Sequence, residues 1–216
     1  MNSPRRLRRS RTTELDTTGV LLDLPTGKRL DLREVFIDAP DRPVEVEVGI
    51  GKGGFLLARA RQRPGINLLG IEYARAYATY AADRARRAEL SNVRVLCTEA
   101  AQLFTTCLDD CCLQRVHIYF PDPWPKRKHH HRRLIQPAFI QQVQRVLKLG
   151  GQLLIVTDYQ EYFGQIQRVM NSTAGFLAIK FPQSTDRGDL LVETNFERKY
   201  AQEGRIFYRI AFIRYV

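Results

Sequence analysis

The chain has 216 residues, 44% of them hydrophobic, enough to bury the core of one domain and too apolar for a disordered tail. Lys and Arg outnumber Asp and Glu by 34 to 23, a formal net charge of +11, which suits a polyanionic partner: RNA, DNA or an anionic membrane. No apolar run approaches the roughly eighteen residues of a membrane span, so a soluble protein with no membrane association is expected.

Met1–Thr13 carries Arg5, Arg6, Arg8, Arg9 and Arg11 and no acid. The apolar step that follows, Val20-Leu21-Leu22, is cut short by Asp23, so a secretory or twin-arginine leader is not expected. A basic arm on nucleic acid and a merely solvated terminus both fit this stretch. Residues 1–40 read as a basic N-terminal extension, with Leu30 to Phe36 a short ordered piece, ahead of a domain spanning 41–216.

From Pro43 the chain alternates between two periods. Val44-Glu45-Val46-Glu47-Val48 is β-branched and alternating, and it breaks into glycines, which marks a strand end. Phe55 to Arg63 reads as a helix stopped at Pro64-Gly65, Asn67 to Glu72 as a second strand, and Arg75 to Leu90 as an Ala- and Arg-rich helix. Val93 to Cys97 and Arg115 to Phe120 are further strands, the latter ended by Pro121. Leu134 to Leu147 reads as a helix with its C-cap in Leu149-Gly150-Gly151, then Leu153 to Thr157 as a fifth strand and Tyr162 to Met170 as a helix. Two more strands fall near Phe176 to Phe181 and Ile206 to Ile213. This is an α/β pattern: a mostly parallel sheet with helices on both faces, whose ligands sit beyond the carboxyl ends of the strands.

The chemistry-bearing residues fall at those ends. Gly49-Ile50-Gly51-Lys52-Gly53-Gly54 follows the first strand, and with Glu72 ending the next it formally matches a dinucleotide fingerprint. It is no Walker A loop, because Lys52 is followed by Gly53 rather than Ser or Thr. Acids then recur strand by strand. Glu47 lies just inside the first strand, near where a cofactor's cationic end would sit, and Glu72 is placed for ribose hydroxyls. Glu99 follows the third strand, placed to meet an adenine edge, and Asp122 follows the fourth strand. Carboxylates at successive strand tips suit the sulfonium and ammonium of S-adenosyl-L-methionine better than a pyrophosphate, which wants a free helix N-terminus.

Phe120-Pro121-Asp122-Pro123-Trp124-Pro125-Lys126 sets one carboxylate and the single tryptophan among three prolines, which hold side chains with little entropy left to lose. Arg127-Lys128-His129-His130-His131-Arg132-Arg133 follows directly; an aromatic beside dense positive charge suits a splayed RNA base and its phosphates. A solvated helix entry and a core anchor are the bland alternatives for the charge run and for Trp124. Consecutive histidines with no partner ligands do not make a metal site, and Cys97, Cys107, Cys111 and Cys112, without a C-x-x-C pair, read as reduced thiols of a cytosolic protein.

On these residues the chain resembles the bacterial tRNA (guanine-N7)-methyltransferase family. The resemblance is carried by Val46-Glu47-Val48-Gly49-Ile50-Gly51-Lys52-Gly53, Leu69-Gly70-Ile71-Glu72, Tyr119 to Lys126, Leu149-Gly150-Gly151, Thr157-Asp158-Tyr159 and Thr194-Asn195-Phe196-Glu197, in order over roughly residues 43–212. It implies a Rossmann-like S-adenosylmethionine-dependent methyltransferase fold and methylation of guanine N7 in tRNA, usually at guanosine 46 of the variable loop. It also implies that Glu47, Gly49, Gly51, Glu72, Glu99 and Asp122 bind the cofactor, with Asp122 catalytic. Lys126, Asp158, Thr194, Asn195, Phe196 and Glu197 would face the substrate. A cytoplasmic monomer or homodimer without metal is expected. The chain departs from the family in Glu99, where Asp or Asn is usual, in Asn195, where Lys is usual, and in Ser184 to Glu193, which lacks paired Arg-Pro steps. A non-catalytic RNA-binding module and a nicotinamide-dependent oxidoreductase are the competing readings.

Overall fold

Valine, isoleucine and leucine runs bounded by Gly and Pro pair side by side here, and the Ala- and Leu-rich segments between them cross over the resulting sheet. A computed structural model of the chain describes residues 14–24, 27, 29–182 and 206–216. Among them the strands are β1 (Leu21–Leu22), β2 (Val44–Val48), β3 (Asn67–Glu72), β4 (Val93–Cys97), β5 (Leu113–Tyr119), β6 (Leu147–Thr157), β7 (Phe176–Ile179) and β8 (Tyr208–Arg214). The helices are α1 (Leu32–Val35), α2 (Gly54–Gln62), α3 (Arg75–Arg87), α4 (Ala100–Gln102, continuing as a π turn over Leu103–Cys107), α5 (Pro137–Val146) and α6 (Gln160–Asn171).

The sheet order is β1-β4-β3-β2-β5-β6-β8-β7. The pairs from β1 to β6 are parallel, whereas β8 runs antiparallel to both β6 and β7. From β2 the chain winds one way through β3 and β4, then returns to place β5 and β6 on the other side. The strand order therefore reverses between β2 and β5. In doubly wound sheets the crevice for a ligand opens at that reversal, beyond the carboxyl ends.

Strand alternation sorts side chains onto two faces. Val46, Val48, Leu69, Ile71, Val116, Ile118 and Ile155 pack with Phe104, Ile140 and Ile166 on one. Leu68, Val93 and Val95 meet Leu56, Leu57, Ala78, Ala81 and Ala85 of α2 and α3 on the other. Both faces are thus covered by helices, as the alternation of periods predicts.

Three local expectations change. The helix expected from Leu134 begins at Pro137, because proline fits the first helical turn and pushes Gln136 into extended backbone at φ −125°, ψ 156°. That helix ends at an extended Leu147, which already belongs to β6, so the Gly150-Gly151 step is not its C-cap. The glycines instead lie in an irregularity of β6: while β5 advances from Leu113 to Arg115, β6 advances from Leu147 to Gln152, with Gly150 at φ 76°. Finally, the short Leu21–Leu22 step, too brief for a periodicity reading, pairs with Val95 and Leu96 as an edge strand.

Candidate active site

The glycine loop is built from backbone geometry. Gly53 caps α2 in the left-handed region at φ 71°, and a Cβ there would come within 2.9 Å of Leu57 and 3.0 Å of Ala81, so only glycine lets α2 and α3 approach this closely. A Cβ at Gly49 or Gly51 would meet nothing within 4 Å, which leaves the loop open on the crevice side. The amides of Gly49 and Ile50 donate to the Ile71 carbonyl at 2.8 and 3.2 Å. Gly51 donates its amide to Glu72 Oε2 at 2.8 Å, and Ala74 donates to Glu72 Oε1 at 2.9 Å. Thr98 donates to the Glu72 carbonyl at 3.0 Å, so the tips of β2, β3 and β4 are joined through one residue. Glu72 is held in one orientation at the crevice edge.

Glu47 is 4% exposed on the second face of β2. Its carboxyl accepts the amide of Leu56, while Oε2 has no hydrogen-bond partner. Burial pushes this carboxyl well above the usual carboxylate range, and the charge of Glu72 adds to the effect. A buried acid with an orphaned oxygen beside a second acid is a place where a cationic ligand group gains most. Glu99 stands exposed at the N-cap of α4 without spending its side chain on a capping bond.

Below Glu47 lies a polar layer that the sequence reading missed. Arg59 of α2, fully buried, donates to both oxygens of Glu45 at 3.0 and 2.9 Å. His117 Nε2 lies 2.9 Å from Glu45 Oε2, and His117 Nδ1 lies 2.8 Å from the Tyr119 hydroxyl. Burial drives the His117 imidazole below its usual value despite the pull of Glu45. Burial alone would raise Glu45, but the hydrogen bonds from His117 and Arg59 overcome it and hold the carboxyl well below the usual range. The layer is therefore a charged Arg59–Glu45 pair with a neutral imidazole. Its Nε2–H must donate to the carboxylate, so Nδ1 accepts from Tyr119. The Val-Glu-Val-Glu-Val alternation suggests a strand with one wet face, yet all five residues are buried, because α2 lies over the glutamates.

On the other side of the crevice, β5 runs into the proline segment. Phe120 and Trp124 both take left-handed backbone, at φ 53° and 41°, without being glycine, a strain of about 1–3 kcal/mol each that persists only where surrounding contacts enforce it. Asp122 and Lys126 are exposed, and Trp124 is half-buried between Arg132, 5.0 Å above its ring, and His129, edge-on at 5.8 Å. Arg127–Arg132 forms a 3₁₀ turn on which Arg127, Lys128, His131 and Arg132 are exposed. Arg133 leaves the charge run altogether. It is 2% exposed and turned inward, and its guanidinium is spent on protein acceptors, so it cannot serve as a phosphate ligand. Asp158 lies half-buried beyond β6, facing the same end of the sheet. Thr194, Asn195, Phe196 and Glu197 lie outside the described residues. The structure thus gathers Glu47, Gly49, Gly51, Glu72, Glu99, Asp122, Lys126 and Asp158 at one end of one sheet. Among the described residues no group of three or more His, Cys, Asp or Glu could hold a metal ion, and no helix is long and apolar enough to cross a membrane.

With this geometry in hand, the chain compares closely with known proteins. Residues 41–210 match the model of a family described as putative methyltransferase. The tRNA (guanine-N(7)-)-methyltransferase of Nitrosococcus oceani is 38% identical over 196 residues, covering 90% of this chain and 80% of the relative. The enzyme of the same name from Geobacillus thermodenitrificans is 33% identical over 192 residues, 88% of this chain and 87% of its own length. The chain belongs to the tRNA (guanine-N(7)-)-methyltransferase family. Membership sets aside the nicotinamide reading of the glycine loop, although the fingerprint spacing is met. The fold agrees, since the 30S ribosomal A1408 methyltransferase from an uncultured bacterium superimposes with a TM-score of 0.58 at 17% identity, covering 86% of this chain and 95% of that one.

Proposed function

We propose that this chain methylates N7 of guanine in tRNA from S-adenosyl-L-methionine, at guanosine 46 of the variable loop. The observation that carries the reading is the ring of four acids, Glu47, Glu72, Glu99 and Asp122, at the tips of four adjacent parallel strands around an open glycine loop. The donor set fits that cofactor: an orphaned buried carboxyl for a cation and a backbone-fixed carboxylate for ribose hydroxyls.

The cofactor supplies an electrophilic methyl group on a sulfonium. Guanine N7 has a lone pair and no proton, so no general base is needed; the chain has to place N7 in line and offset the charge that spreads into the purine. Asp122, exposed at the β5 tip, orients the guanine edge and offsets that charge. Lys126, Arg127, Lys128 and Arg132 contact tRNA phosphates, and Trp124 stacks against a base. Asp158 and the Thr194–Glu197 segment complete the substrate grip. The protein works in the cytoplasm, with its tRNA, as a monomer or homodimer.

Mass spectrometry of nucleosides from tRNA incubated with protein and S-adenosyl-L-methionine should show N7-methylguanosine, and a full complement of unmodified guanosine would overturn the proposal. Asp122→Ala should lower turnover on the order of 10²–10³-fold while changing S-adenosylhomocysteine affinity far less. Unchanged turnover would remove the role of Asp122.

A further inference from the structure

The proline segment has an anchoring problem. Pro121, Pro123 and Pro125 have no amide hydrogens, so the turn that presents Asp122 is poor in donors, and its carbonyls must hold it. The backbone of this turn is strained at Phe120 and at Trp124, so contacts from outside are required to keep it in place.

Arg133 supplies such a contact. Its Nε donates to the Pro123 carbonyl, the residue next to Asp122, at 2.8 Å. The other end of the guanidinium is gripped by α6: Nη1 donates to Gln165 Oε1 at 2.7 Å and to Glu161 Oε1 at 3.2 Å, and Nη2 donates to Glu161 Oε1 at 3.3 Å. The cation lies 4.9 Å over the ring of Tyr162. The same helix face holds the chain just beyond Arg133, as the Ile135 amide donates to the Tyr162 hydroxyl at 3.0 Å and Gln165 Nε2 donates to the Ile135 carbonyl at 3.1 Å. Glu161 and Gln165 are one helical turn apart, so both reach the same guanidinium. Helix α6 itself follows Asp158 by two residues. One buried fork therefore ties the Asp122 turn to the helix that starts beside Asp158.

We infer that Arg133 is a positioning residue for methyl transfer, which holds the Pro123 carbonyl against α6 and so fixes where Asp122 meets the guanine. This rests on the role proposed for Asp122. A lysine cannot replace the fork, because a point charge on a flexible stem cannot serve Pro123, Glu161 and Gln165 together.

The test compares Arg133→Lys, Glu161→Gln, Asp122→Asn and the Arg133→Lys/Asp122→Asn double variant in the full-length protein. Arg133→Lys should lower kcat on the order of 10²-fold, the cost of displacing a reacting geometry by about an ångström. Its KM for tRNA, its S-adenosylhomocysteine affinity and the salt dependence of tRNA binding should stay near wild type. Glu161→Gln, at a half-exposed position, keeps the inference testable if Arg133→Lys does not fold; it should lower kcat less, with the same pattern. The double variant should be no slower than Asp122→Asn alone. Wild-type kcat in both Arg133→Lys and Glu161→Gln, a loss of thermal stability without loss of kcat, or a shallower salt dependence would overturn the inference. So would effects of Arg133→Lys and Asp122→Asn that multiply. Wild-type kcat in Asp122→Asn alone would instead sink the reading of Asp122.

Discussion

Arg59→Met tests whether the polar layer under the site is a structural necessity. Arg59 is fully buried and gives two charge-assisted hydrogen bonds to Glu45, which is 3% exposed. Removing one partner of such a pair strands the other charge, at about 3–5 kcal/mol. Two neighbours soften the loss here: His117 Nε2 still donates to Glu45 at 2.9 Å, and Arg115 Nη1 lies 3.8 Å from Oε1. Methionine also retains much of the apolar stem. The lower end, about 3 kcal/mol, is therefore expected, which for a chain of this size lowers Tm by about 6–12 °C. Urea unfolding at pH 7 should show the fall as a lower midpoint with an unchanged slope. Glu45→Gln should also destabilise, by leaving Arg59 charged and short of its partner. The double variant should lose less than the two singles added together, because neither Glu45 nor Arg59 is then left as a stranded partner of the other. A fall under about 1 kcal/mol in Arg59→Met would mean that Arg115 simply takes over, and would refute the reasoning. The layer also sets the acid response. Folding depresses both His117 and Glu45, so their contribution to stability is complete above about pH 6.5 and is lost as pH falls, first through the imidazole and then through the carboxylate.

Two further outcomes follow from the site. Glu47 is raised by burial, so its neutral form stabilises the free protein at low pH and that contribution fades as pH rises through its folded value. A cation placed against Oε2 takes the proton off. S-adenosylhomocysteine affinity should then rise with pH and release a proton in calorimetry, and Glu47→Gln should abolish that slope and weaken binding by about 1.5–3 kcal/mol. An unchanged slope in Glu47→Gln would assign the titration elsewhere. If Lys126, Arg127, Lys128 and Arg132 each meet a phosphate, tRNA affinity should drop roughly 50- to 150-fold between about 50 and 200 mM salt, and each alanine variant should flatten the log–log slope by about 0.7–0.9. Salt-independent binding would remove these contacts.

Much of the scaffold was legible because strand signals are local. Asn67–Glu72 and Val93–Cys97 were read to their last residues, since β-branched and apolar runs end at turn-forming steps. The positions of Glu72 and Asp122 at strand tips came with them. Glu45 and Glu47 were not legible as buried: alternation reports which residues share a face, not what will cover it. Arg133 was hidden in the same way, inside a run of charges that looked uniformly solvated, and no periodicity separates it from Arg132.

The sequence by itself determined most of the strand and helix segments, the glycine loop, the order of the acids and the family resemblance, because all of these are written in neighbouring residues. Only the tertiary structure decided that β2 and β5 stand side by side, that the two glutamates of β2 lie under α2, and that Arg133 turns inward to join the Asp122 turn to α6. Those contacts join residues far apart in the chain, and the burial that gives them their energy exists only once the sheet and its helices have assembled.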